Sequence, residues 1–221
     1  MMRLSRIFRA IPCKVYLCVS LVLAGCEATA PVAPVPAQSV SQLRPTPAIS
    51  VAVDIRPHSQ WTPERIEKTR EAARLFESVV NSEAFANALA QRTDLQLTGG
   101  MSGAQILRVI RAGVPLDALR RGEAAGAPRI TLALAISPES GEFSSYDGFT
   151  DLGTGVIYAQ RAWFDRENVC RLAGLYAHEH MHVIGFTHAN YYHPWRAKSV
   201  PYAIGYMVVD LARAQAGARC R

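Results

Sequence analysis

The chain has 221 residues, with 24 lysines and arginines against 18 acidic residues and a formal charge of +6. Arg3, Arg6, Arg9 and Lys14 all precede Cys26 with no acidic residue among them, so the chain from Cys26 onward carries 20 basic against 18 acidic residues, or +2. With that subtraction no basic run or basic stripe interleaved with aromatics remains, and nucleic acid is excluded as a partner.

The four cations form a basic n-region, Val15 to Leu23 an apolar h-region, and Leu23-Ala24-Gly25-Cys26 resembles the lipobox of bacterial lipoprotein signal peptides. Residues 1–25 therefore read as a signal peptide cut ahead of Cys26, which is then lipidated. The apolar run is shorter than the roughly 20 residues a membrane-spanning helix needs. The expected location is the cell envelope, anchored to a membrane by lipid. Glu27 rather than Asp after the cysteine fits the outer membrane, by resemblance to Gram-negative sorting rules.

Residues 26–50 carry the lipidated cysteine and a Pro/Ala-rich tether that includes Pro31, Pro34, Pro36, Pro45 and Pro47. Extended at about 3.1 Å per residue, such a segment reaches about 70 Å from the membrane. Residues 51–221 are long enough for one domain with a real core and too short for two of ordinary size.

Within that domain the pattern is α+β. Val51 to Arg56 alternates as a strand does. Thr62-Pro63 then opens a helix as N-cap and first-turn proline, running to about Arg92 with a break near Asn81 and a core face of Ala73, Phe76 and Val80. A shorter helix fits Ser102 to Ala112, with Ile106, Val109 and Ile110 inward. Arg129 to Ile136 and Gly155 to Ala159 are β-rich runs, separated by a Gly/Ser/Asp loop from Ser137 to Thr154. Asp147 and Asp151 in that loop lack the spacing of a calcium loop and suit turn chemistry. A C-terminal helix is expected from about Tyr206 to Ala216.

Between these lies His178-Glu179-His180-Met181-His182-Val183-Ile184-Gly185-Phe186-Thr187-His188, which fits H-E-x-x-H-x-x-G-x-x-H at all five fixed positions. On a helix, residues four apart share a face, so His178 and His182 can both reach one zinc ion at about 2.0–2.1 Å. Glu179 stands on the shoulder of that face, placed to act on a water rather than on the metal. Gly185 permits the turn that returns His188 as third ligand. Five of the six histidines fall between His178 and His193. His180, two positions from each ligand, projects away and reads as a surface or supporting residue, and His58 and His193 as ordinary loop residues. No Glu follows Glu179, which excludes clans that take their third ligand from a later glutamate; Asp210 is the one downstream aspartate and the weaker candidate beside His188.

The motif resembles the metzincin clan of zinc endopeptidases. That resemblance implies a small mixed sheet above a cleft, Zn2+ on His178, His182 and His188, and Glu179 as general base. It also implies a methionine turn beneath the metal, for which Met207 is the candidate on a poor match, so packing is the favoured role of that residue. Val209 stands where several families of the clan carry a tyrosine, so that role does not transfer, whereas Tyr202 in the Pro201-to-Gly205 turn is placed either to donate to an oxyanion or to pack. Gly155 to Ala159 would lie near the strand that receives extended peptides. The implied activity is zinc-dependent endopeptidase action on proteins, peptides or peptidoglycan stems; the alternative is a zinc-stabilised envelope binding or scaffolding lipoprotein without turnover.

The remaining thiols add one expectation. Cys13 and Cys18 leave with the signal and Cys26 is acylated, so Cys170 and Cys220 are left to pair in an oxidising compartment. In the chain-entropy model, closing a loop of about 50 residues contributes about 4 kcal/mol.

Overall fold

Alternating apolar residues in Ser50–Ile55 form β1, and the computed structural model, which describes residues 48–56, 60–121, 129–137, 147–189 and 193–220, sets it at the margin of a four-stranded sheet. Cys26, the signal peptide, His58 and most of the tether lie outside the described residues. The described residues belong to one compact unit.

β1 pairs in parallel with β2 (Arg129–Ser137), and β2 in parallel with β4 (Val156–Gln160). β3 (Gly148–Asp151) closes the order β1-β2-β4-β3 and runs antiparallel to β4. Among the described residues the result is α+β, with seven α-helices and a small mixed sheet. β3 falls inside the stretch expected to be loop. Four residues of Gly-Phe-Thr-Asp are too short for an alternating pattern to register. Among the described residues it is β3, and not the Gly155–Ala159 run, that ends the sheet on this side, because β4 is paired on both sides.

The first helix, α1 (Pro63–Asn81), starts where Thr62 Oγ1 accepts from Arg65 N, and Ser82 both ends it and caps α2 (Glu83–Ala90). The expected break near Asn81 is this shared cap. α3 (Gly103–Ala112) opens on a reciprocal Ser102/Gln105 capping box and closes on Gly113 at φ 65°, with Ile106, Val109 and Ile110 fully buried. Two short helices, α4 (Leu116–Arg120) and α5 (Arg161–Arg166), had no sequence expectation, because five or six residues show less than two turns of periodicity.

The outer margin of β1 is already occupied. Asn81 exchanges two 2.9 Å hydrogen bonds with the main chain of Ile49, and Glu77 Oε2 accepts from Val51 N at 2.6 Å. Side chains of α1 thereby satisfy groups that an added strand would need. The opposite margin, β3, lines a cleft.

The motif helix is α6 (Val169–Val183), packed against α1 and, most extensively, α7 (Val200–Ala216). α7 begins six residues before the expected Tyr206. Pro201 and Gly205 read as a turn, yet proline is favourable in a first helical turn, and Gly205 is retained for packing. A methyl added at Gly174 would lie 2.3 Å from Val209 Cγ2 and 2.9 Å from the Gly205 carbonyl oxygen, so the two helices meet at hydrogen-sized side chains. We expect Gly174→Ala to destabilise the chain by about 1–3 kcal/mol by overpacking; a urea midpoint unchanged from wild type would show that the crossing is slack. At the end of α7, Cys170 and Cys220 stand at disulfide distance, with Cα atoms 5.5 Å apart.

Candidate metal centre

α6 is anchored at its start by Asn168, whose Oδ1 accepts from Cys170 N and Arg171 N, and runs without interruption through His178 and His182. It stops in a Schellman arrangement: Phe186 N donates to Met181 O at 2.8 Å and Gly185 N to His182 O at 3.0 Å. Gly185 adopts φ 99°, a conformation that side-chain-bearing residues resist. Leu116 N, from the unforeseen α4, donates to Ile184 O and braces the turn. The chain then returns His188 to the face that carries the other two histidines.

One ring nitrogen from each of His178, His182 and His188 lies within 4.8 Å of the others, close enough for all three to share one ion. Their second sides are held by main-chain carbonyls. His182 Nδ1 meets Phe186 O at 2.9 Å and His188 Nδ1 meets Ala189 O at 3.1 Å, which leaves Nε2 as the inward atom; His178 has a main-chain partner in Pro201. Carbonyls on the outer nitrogens fix both ring orientation and tautomer, as they do for histidines that ligate metals. Burial depresses the proton affinity of all three, taking His178 down to about 3, with the neighbouring histidines and Arg196 adding to the effect. Neutral rings with inward lone pairs are a donor set that fits a divalent cation.

Glu179 is 5% exposed. Its Oε1 lies 3.9 Å from His178 Nε2, near the inward nitrogens, and its Oε2 accepts from Thr150 Oγ1 at 2.8 Å. Burial pushes this carboxyl from 4.5 to about 7, and the Thr150 hydroxyl opposes the rise. In metal-free protein the folded state thus holds the proton more tightly than the unfolded state, and stability falls as pH rises from about 4.5 through about 7. Glu179→Gln lacks that dependence. The metal-free variant should equal wild type near pH 4 and exceed it by about 3 kcal/mol near pH 8. Parallel denaturation curves for the two proteins across that range would contradict the burial argument.

Tyr202, in the first turn of α7, has its ring 4.4 Å from that of His178 and 5.0 Å from that of His188. Arg196 lies over the Tyr202 ring at 4.5 Å and donates to its hydroxyl. This places Tyr202 at the centre rather than in the core. Met207 lies within α7 and packs against the core, so no methionine turn sits at this position. Asp210 is exposed on α7 and lies 3.9 Å from Arg213, remote from the three histidines. His180 is a correction: it is 4% exposed, edge-on to Phe76 at 6.2 Å, and lowered to about 4 by burial. The motif's odd position points into the core because α6 is covered on that side by α1. His193 Nδ1 accepts from Trp195 N in a local turn. Asp151 accepts from Gly153 N and Thr154 Oγ1, the expected turn chemistry.

The three rings line a cleft of about 870 Å³ between β3, α6 and α7, with Phe149, Leu175 and Tyr206 among its apolar walls and Arg171 and Arg196 as its cations. Sequence reasoning missed Thr150 and Arg196. For Thr150 a signal exists, because Asp151-Leu152-Gly153-Thr154-Gly155 is a tight-turn composition directly ahead of a strand. Nothing local marks Arg196. Compared with protein-family models, curated proteins and solved structures, the chain matches none.

Proposed function

We propose that the chain is a zinc-dependent endopeptidase of the bacterial cell envelope, with a metzincin-like arrangement of its site. One observation carries the reading: three inward, carbonyl-oriented histidines adjoin a buried carboxylate that is not needed as a ligand, and both open on a cleft. A purely structural zinc site needs no such carboxylate and closes its fourth position with a protein ligand. His178, His182 and His188 would hold the ion. When bound, zinc lowers the pKa of water and polarises a substrate carbonyl.

The chain's own residues supply the rest. Glu179 takes the proton of the attacking water and delivers it to the leaving amine, the transfer that a buried carboxylate beside the three histidines is placed to make. The Tyr202 hydroxyl, which accepts from Arg196 and lines the same cleft, would donate to the negative charge that develops on the carbonyl oxygen. An extended peptide would lie along β3, because β1 is closed by Asn81 and Glu77 whereas Gly148, Phe149 and Thr150 line the cleft. The lipobox at Cys26 sets this chemistry on a membrane-tethered, envelope-facing domain. Among the described residues no helix is long and apolar enough to cross a membrane.

The test is cleavage profiling of the purified full chain against a peptide library and peptidoglycan stem peptides, with and without a chelator. Cleavage that stops on chelation and returns with zinc is expected. Cleavage indifferent to the chelator, or none on any substrate, would overturn the proposal.

A further inference from the structure

We propose that Thr150 is a positioning residue for Glu179, its hydroxyl holding one carboxylate oxygen so that the other faces the three-histidine centre. The inference rests on the hydrolytic reading above but is carried by a separate geometry. Thr150 sits on β3, the sheet margin that lines the cleft, while Glu179 sits on α6. The hydroxyl spans the two elements, 2.8 Å from Glu179 Oε2 and 3.1 Å from the Glu179 main-chain oxygen. Among the described residues the carboxylate has no other hydrogen-bond donor. A buried glutamate with three rotatable torsions and one donor owes its orientation to that donor.

The two oxygens therefore differ. Oε2 is committed to Thr150, and Oε1, 3.9 Å from His178 Nε2, is the one directed at the reacting region. Removing the hydroxyl leaves the carboxylate buried without a donor, so it turns toward any water or cation within reach. A displacement of about 1 Å in a catalytic group lowers turnover by about 10²-fold. The same contact ties Glu179 to the strand that lines the cleft, and a serine could make it equally well.

Three variants of the full chain separate this role from packing. Thr150→Val preserves shape and removes the donor, Thr150→Ser preserves the donor and removes the methyl, and Thr150→Ala replaces the valine variant should that fail to fold. The expected result for the donorless variant is kcat lower by about 10–100-fold, the usual loss when an outer hydrogen-bond partner is removed. KM and zinc affinity should stay within about threefold, and Thr150→Ser should recover most of kcat. Crystal structures of metal-free wild type and Thr150→Val supply a readout independent of turnover: the Glu179 carboxylate should rotate away from its wild-type position. An unmoved carboxylate with kcat unchanged overturns the proposal, as does a serine variant as slow as the valine one. If the wild-type chain cleaves no peptide, the hydrolytic reading fails separately and the carboxylate position alone decides: rotated upholds the positioning role, unmoved refutes it.

Discussion

Glu179→Gln should leave metal content unchanged and lower kcat by about 10²–10⁴-fold, the range that a positioned acid or base contributes. Glutamine keeps the length and the contact with Thr150, so the histidines should remain undisturbed, and it lacks a site for the proton at neutral pH. The separation between binding and turnover is what makes the substitution informative. A general destabilisation would lower both, and loss of a ligand would lower metal content first. Full turnover in the variant would remove Glu179 from the mechanism.

His188→Ala carries the second large effect. His178 and His182 are placed by one helix, but the third donor depends on the Gly185 turn and on the Ala189 carbonyl behind the ring. Loss of a supporting hydrogen bond lowers metal affinity by about 10–100-fold, and loss of the donor itself should exceed about 100-fold. Asp210→Ala should have no effect, since that carboxylate is exposed and lies by Arg213. Zinc competition titrations on both variants measure the contrast. Undiminished affinity after His188→Ala would mean that the ion is held elsewhere.

Much of this site was legible in the residues because a helix is a local object. The i, i+4 spacing of two histidines, a glutamate beside the first and a glycine at the stop are all statements about consecutive residues, and α6 together with the Gly185 turn realises them. The same holds for Thr62, whose capping of α1 is decided within one turn. What escaped depends on pairing at a distance. β3 is four residues long and is defined by β4, and Thr150 matters only because that pairing carries it to α6. Tyr202 read first as packing because Pro201 and Gly205 imitate a turn; only the α6–α7 crossing, where Gly174 and Gly205 let the backbones approach, brings its ring to His178. Met207 is carried on the same helix and packs against the core, the role favoured for it over a methionine turn. His180 shows the opposite limit, since its burial is set by α1 covering a face that the motif alone leaves open.

The most direct measurement of the central claim is anomalous diffraction at the zinc absorption edge from crystals of the full chain grown with one equivalent of zinc. A single peak in contact with the inward nitrogens of His178, His182 and His188, open toward the cleft and not in contact with Glu179, is the predicted result. A peak elsewhere, one completed by a fourth protein ligand, or none at the three histidines would contradict a hydrolytic zinc centre in this protein.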